Sequence, residues 1–121
     1  MKKIILIPDS FKGTLSSQEV CEAMKQAVVK ICPQAQVVTL PVADGGEGTV
    51  DAFLAAMSGR KIRCKVQGPL GELLDSFYGI LSDGSVVIEM AAAAGLPLVS
   101  GRLSVGTATT YGVGELMQHA I

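Results

Sequence analysis

The residues best placed to do chemistry lie in Leu40-Pro41-Val42-Ala43-Asp44-Gly45-Gly46-Glu47-Gly48-Thr49-Val50, which gathers two carboxylates, three glycines and a threonine. The stretch follows an apolar run, Gln36 to Leu40, that reads as a strand. It precedes a helical pattern with Val50, Phe53, Leu54 and Met57 on one face. Glycines at a strand-to-helix turn leave backbone N–H groups uncovered, and the positive end of the helix stands behind them. Such a turn suits an anion, phosphate above all. The glycines alone are explained by a tight turn, since the pattern is neither G-x-G-x-x-G nor a Walker A loop. Asp44 and Glu47 add what a bare phosphate cradle does not need and what a site handling phosphate with a divalent cation does need. A second polar loop, Asp9-Ser10-Phe11-Lys12-Gly13-Thr14, carries Lys12. A lone loop lysine is by default a solvated charge. Beside an acidic glycine turn it can pair with phosphate or with a carboxylate.

The elements that must position these groups follow from the pattern. Lys3 to Ile7 is a continuous branched run, expected as a strand buried on both faces. Ser16 with Glu19 makes a capping box, and Val20, Met24, Ala27, Val28 and Ile31 form one helical stripe that Pro33 ends. Strand, helix and strand in this rhythm predict a βαβ unit with a parallel pair. Ligands collect at the carboxyl ends of such strands, where both polar loops fall.

The pattern changes after Gly59. Ile62, Cys64 and Val66 alternate with Lys61, Arg63 and Lys65, as in a strand with one wet face. Gly68-Pro69-Leu70-Gly71 is a turn, Leu73 to Leu81 a second extended segment, and Asp83-Gly84 signals a hairpin into Val86 to Met90. Glu89 ends an apolar strand, where a carboxylate needs a partner; it faces either a charged partner or the ligand cleft, and an ion pair is the expectation. Ala91 to Ala94 reads as a short helix stopped by Gly95 and Pro97. Thr109 or Thr110 caps a last helix with Val113, Leu116, Met117 and Ala120 inward, one more helix start suited to an anion. His119 falls in its last turn, toward the helix dipole rather than a metal.

Composition narrows the classes. The length, 121 residues, is that of one domain, and 49% are apolar, which describes a globular chain. Ten basic residues against eleven acidic ones argue against nucleic acid or a membrane surface as the main partner. Cys21, Cys32 and Cys64 show neither C-x-x-C spacing nor an even count, so no disulfide framework or zinc site is expected; Cys21 and Cys32 read as small apolar groups packed in or beside a helix. Ile4 to Ile7 is too short for a signal peptide's apolar core, and a cytoplasmic location is expected. The last helix reaches Ile121 with no capping glycine, and the parallel sheet has two strands, too few to cover both faces. A fragment, or a subunit completed by self-association or another chain, is therefore expected.

Pro8-Asp9-Ser10-Phe11-Lys12-Gly13 and Pro41-Val42-Ala43-Asp44-Gly45-Gly46-Glu47-Gly48-Thr49 resemble the bacterial, type I, glycerate kinase family. So do Gly68-Pro69-Leu70-Gly71, Ile88-Glu89-Met90-Ala91-Ala92-Ala93-Ala94-Gly95-Leu96 and Thr109-Thr110-Tyr111-Gly112. These motifs stand in the family's order along nearly the whole chain. The resemblance implies transfer of the γ-phosphoryl group of ATP to D-glycerate with magnesium, in a cleft between two α/β domains. Family members are much longer, so the resemblance covers their N-terminal portion.

The expected fold is thus α/β: a Rossmann-like parallel βαβα start over residues 1–59, then part of a small antiparallel-sheet α/β domain over residues 60–105, then the start of a further helix over residues 106–121. The resemblance and the residues together make Asp44 and Lys12 the candidate catalytic pair, with Asp44 and Glu47 as candidate magnesium ligands. Asp9, Ser10, Gly45, Gly46, Glu47, Gly48, Thr49, Thr109 and Thr110 are candidate substrate or nucleotide contacts. Two other readings stand beside the kinase: a non-catalytic anion-binding module, and an interaction subunit that needs a partner chain.

Overall fold

A computed structural model describes residues 2–121. Its contacts divide the chain into two compact units, one ending at Asp44 and one running from Gly45 to Ile121.

The first unit is a βαβ. Strand β1 (Lys3–Leu6) and strand β2 (Gln36–Thr39) pair in parallel, Lys3 opposite Gln36 and Leu6 opposite Thr39, with helix α1 (Ser17–Ile31) between them in sequence. The capping box is present: Glu19 N–H donates to Ser16 Oγ at 3.3 Å, and Ser16 N–H donates to Glu19 Oε2 at 2.7 Å. Helix α1 docks through Val20 and Cys21, both buried. Two expectations fail here for one reason. Beta1 is not buried on both faces, since Ile5 is 52% exposed, and the α1 stripe runs out into solvent, with Ile31 at 85%. A sheet of two strands covers only part of the helix, and within this unit α1 is the helix packed on it. Cys32 is likewise exposed, at the C-cap beyond the reach of the sheet, rather than packed.

The second unit is a three-stranded antiparallel sheet, in the order β3 (Gly59–Gln67), β4 (Leu73–Leu81), β5 (Val86–Val87). Gly59 pairs with Leu81 and Gln67 with Leu73, so the hairpin closes at Gly68-Pro69-Leu70-Gly71. Neighbouring residues on a strand point to opposite faces, and β4 shows what covers each. On the Gly79 side lies helix α2 (Thr49–Met57), whose fully buried Val50 fills the space that a side chain at position 79 would take. On the Tyr78 side lies helix α4 (Tyr111–Ala120), whose Leu116 is fully buried with Val66, Tyr78 and Ala93 of the short helix α3 (Ala91–Ala94). Burying a leucine completely contributes about 1.5–3 kcal/mol, so Leu116 anchors α4. Met117, expected inward, is 52% exposed.

Alpha2 therefore belongs to the antiparallel unit, and the contacts divide at Asp44, ahead of the change of pattern at Gly59. The reason is local: Lys61 Nζ meets Asp51 Oδ1 at 2.5 Å and lies 4.3 Å from the centre of the Phe77 ring, fastening α2 to the basic face of β3. Those lysines are thus partly spent on packing; Lys65 also pairs with Asp75 at 2.9 Å.

The start of α4 sits against the end of β3. Thr109 N–H donates to the Pro69 carbonyl at 2.9 Å, and Gln67 N–H donates to Glu115 Oε2 at 2.5 Å. Gly112 makes this approach possible, because a Cβ there would run into the Gln67 carbonyl oxygen. Gly112→Ala should destabilise the chain by about 1–3 kcal/mol, the usual cost of overpacking. Gly114→Ala, with open space at its Cβ, should stabilise by about 0.5–1 kcal/mol. Urea unfolding of the two variants checks this, and equal effects would contradict the docking geometry.

Candidate active site

Each loop at the carboxyl end of the parallel pair is shaped by its own short-range chemistry. Beyond β1, Asp9 Oδ1 accepts the Ser10 N–H at 2.7 Å, so this carboxylate folds back onto its own loop. Phe11 N–H then donates to the Leu15 carbonyl at 2.9 Å, while Thr14 N–H and Leu15 N–H donate to the Phe11 carbonyl at 2.8 and 3.1 Å. These bonds close a tight turn with Lys12 at its tip, immediately ahead of the capped start of α1. Beyond β2 the chain runs through Pro41 to Asp44. The two loops meet there: Lys12 Nζ lies 3.5 Å from Asp44 Oδ2, with side chains 70% and 54% exposed. The candidate catalytic pair is thus a pair in space, and solvent reaches both partners.

The Gly45–Thr49 turn opens the second unit. Gly48 is the N-cap of α2 with φ 89°, a left-handed conformation that favours glycine, and it brings no capping side chain. Thr49 is buried, and its hydroxyl donates to the Gly46 carbonyl at 2.7 Å, which fastens the turn to the helix. Glu47 is exposed. Behind the turn the structure supplies a carboxylate of its own: Val50 N–H donates to Glu89 Oε2 at 3.1 Å, and Glu89 is only 3% exposed. The ion pair expected for Glu89 is absent among the described residues. The positive end of α2 answers its charge instead. That end, expected to face a ligand anion, already faces an internal one.

Thr109 and Thr110 lie in the second unit, at the head of α4. Thr110 is the N-cap of α4 and makes no side-chain capping bond, while Thr109, one residue earlier, accepts the Tyr111 N–H on Oγ1 at 3.1 Å. With Tyr111, Gly114, Glu115 and Gln118 the two threonines line an open cleft of about 410 Å³. His119 leaves the dipole role for a contact: its Nδ1 is 3.2 Å from the buried Tyr78 hydroxyl, which also lies within donating distance of the His119 carbonyl. The residues that sequence reasoning missed are Glu115, which receives the Gln67 N–H, and the helix-head role of Glu89. Glu89 carried a legible signal, a carboxylate closing an apolar run. Glu115 carried none, since an acid in a helix is ordinary.

As metal ligands, Asp44 and Glu47 offer hard oxygen donors on exposed backbone. No group of three or more His, Cys, Asp or Glu is gathered for a metal among the described residues. Magnesium is commonly held by one or two carboxylates together with substrate phosphates, and the donor set fits that manner of binding.

Two charge effects can be measured. An exposed pair such as Lys12–Asp44 contributes about 0–1 kcal/mol. A double-mutant cycle with Lys12→Met and Asp44→Asn should give a coupling in that range that shrinks with added salt. Next to it, hydrogen bonds from the Ser16 hydroxyl and then the Ser16 N–H hold the Glu19 carboxyl below its ordinary 4.5. What Glu19 contributes is therefore complete above that value and is lost as pH falls through the lower folded value. The protection factors of amides at the start of α1, which remove the intrinsic pH dependence of exchange, should fall over that acid range, and Glu19→Gln should abolish that fall.

Comparison with known proteins agrees with these motifs along the chain. The model of the glycerate kinase family matches residues 4–121. A glycerate 2-kinase of Escherichia coli K12 is 47% identical, and a glycerate kinase of Bacillus subtilis 168 is 48% identical, each over 98% of this chain and 32% of the relative. A crystal structure assigned to glycerate kinase 2 of Salmonella typhimurium LT2 superposes with a TM-score of 0.73 at 43% identity, over 99% of this chain and 33% of that one. The chain spans about a third of the length of the relatives it matches.

Proposed function

The chain belongs to the glycerate kinase family, and we propose that it carries the N-terminal part of the machinery for ATP-dependent phosphorylation of D-glycerate. The observation that supports this most is the Lys12–Asp44 pair at 3.5 Å, exposed on both sides, at the carboxyl edge of a parallel sheet. An exposed ion pair adds little to the fold, and solvent reaches the side chains of both residues.

Phosphoryl transfer asks for positioning and charge neutralisation more than for covalent work. Lys12 pairs with the glycerate carboxylate or with the transferred phosphoryl oxygens. Asp44 orients the acceptor hydroxyl and takes its proton as the oxygen attacks the γ-phosphorus; the bond to the β–γ bridging oxygen breaks, and ADP leaves. The name of the E. coli relative, glycerate 2-kinase, makes the 2-hydroxyl the acceptor to test first. Asp44 and Glu47 are the carboxylates that would hold magnesium, which with ATP would offset the phosphate charge. Asp9 and Ser10 border the glycerate side, and the Gly45–Thr49 turn the phosphates. Thr109 and Thr110 are assigned to the nucleotide through the cleft they line. No helix among the described residues is long and apolar enough to cross a membrane, and the cytoplasm, where ATP is made available, is the proposed location.

One observation favours a partner as part of this function. Ile5, Ile7 and Leu40, on and next to the parallel strands, are 52%, 56% and 47% exposed. We read this apolar surface as a place for further chain, so that turnover belongs to the completed enzyme. The test is calorimetry and ADP formation with ATP–magnesium and D-glycerate, on this chain alone and mixed with a polypeptide equivalent to the remaining two thirds of the E. coli relative. Turnover in the mixture supports the reading. Anion binding without turnover in either sample would favour a binding module instead.

In the active mixture, Asp44→Asn keeps the size of the side chain and removes its charge. It should lower turnover by more than about tenfold, a barrier change above about 1.4 kcal/mol, with the circular dichroism spectrum unchanged. A smaller loss would make Asp44 a turn residue only.

A further inference from the structure

The head of α2 has no cap of its own making. Gly48 stands at the N-cap without a side chain, and Thr49 turns its hydroxyl back to Gly46. The Val50 N–H, one of the helix's orphan donors, is taken by Glu89 from 39 residues further along. Both ends of this bond are immobilised. Glu89 is 3% exposed, and the Val50 side chain is fully buried beneath the sheet residue Gly79. A hydrogen bond to an ionised acceptor is roughly twice as strong as a neutral one. Yet a buried carboxylate must also give up its hydration, and a well-packed neutral side chain often serves stability as well. What the ion adds is direction: a strong, short-range hold on one particular amide at the place where the Gly45–Gly48 turn becomes a helix.

We infer that Glu89 is a positioning residue for the phosphate-handling turn: its carboxylate fixes the first turn of α2 through the Val50 N–H and thereby sets the conformation in which Gly45 to Gly48 meet the substrate. Glu89 touches no reacting atom and acts through Val50. The inference rests on the kinase reading for the ligand and on the structure alone for the hold. It also joins two stretches that look separate in the sequence, Pro41–Thr49 and Ile88–Leu96, into one functional unit.

Glu89→Gln keeps the shape and removes the charge, while Glu89→Asp keeps the charge on a shorter arm. In the 121-residue chain, Glu89→Gln should shift the backbone amide resonances of Gly45 to Asp51 and speed hydrogen exchange at Val50 by about tenfold or more, leaving the amides of β3 and β4 in place. In the active mixture, the same variant should lower kcat by about tenfold or more with the KM for glycerate nearly unchanged, and Glu89→Asp should recover part of both effects. A purely structural role would move the amides of β3 and β4 as well and would not give this split between kcat and KM. Unmoved turn amides, or moved amides with an unchanged kcat, would overturn the inference. If the wild-type mixture is itself inactive, the kinase reading fails, and the amide measurements still decide whether Glu89 holds the turn.

Discussion

A carboxylate removed from water must be met by positive charge or by hydrogen-bond donors, and at Glu89 the donor is the first turn of a helix. Much of the second unit can be traced from that requirement. Beta5 stops at Val87, and Ile88 and Glu89 carry the chain away from the sheet before α3 begins at Ala91. Alpha2 must present its N-terminal end to this point, so its axis has little freedom. Gly79 lets it lie close to β4, and the Lys61–Asp51 pair fastens its flank. The opposite face of the sheet is then left to α4, which closes over Tyr78 and Val66 with Leu116.

The molecule separates its charges by task. Those that fix structure are met locally: Glu89 by a helix head, Lys61 by an aspartate and an aromatic ring, Glu115 by a strand-end amide. Lys12 and Asp44, proposed for chemistry, lie 3.5 Å apart with both side chains exposed to solvent. A weak exposed pair can be exchanged for a substrate charge at small cost, whereas a buried carboxylate cannot be uncovered without a large one. The same contrast explains why the positive end of α2 is a poor place for a second anion. A phosphate arriving there meets a negative charge already seated. The turn in front of the helix is then the better candidate for an anion, with Glu89 holding the Val50 N–H behind it.

Much of this was legible in the residues, and the failures have physical reasons. The parallel βαβ, the Ser16–Glu19 box, the Gly59-to-Leu81 hairpin and the inward Val113, Leu116 and Ala120 of α4 follow from periodicity and capping rules, which are local. The sequence places both loops at one sheet edge and leaves Lys12 a phosphate or a carboxylate to pair with; the structure shows the Asp44 carboxylate at 3.5 Å. The partner of Glu89 did not follow, because the sequence shows which group needs a partner but not that a helix head 39 residues earlier will supply it. Burial was overestimated for β1 and α1, since an apolar run records what a sheet could bury. It does not record how many strands and helices are present to cover it. Alpha2 was expected with the strands before it, yet packing assigns it to the sheet after it. Val50 and Leu54 find Gly79 there, a contact between residues far apart in sequence.

The apolar surface of the parallel pair bears on catalysis as well as on stability. Each Å² of apolar surface that another chain covers is worth roughly 25 cal/mol, and ordinary domains are stable by only about 5–15 kcal/mol. Covering a few hundred Å² around Ile5, Ile7 and Leu40 therefore changes the stability of this unit by a sizeable fraction. Ile7 follows β1 and Leu40 follows β2, so these residues lie at the bases of the two loops that carry Lys12 and Asp44. Whatever covers them also restrains those loops. Phosphoryl transfer depends on groups held to within a fraction of an ångström, and loops rooted in an uncovered two-stranded sheet lack that restraint. The exposed apolar residues and the Lys12–Asp44 pair are in this sense linked: the strands that leave Ile5, Ile7 and Leu40 in solvent are the base from which the two loops rise.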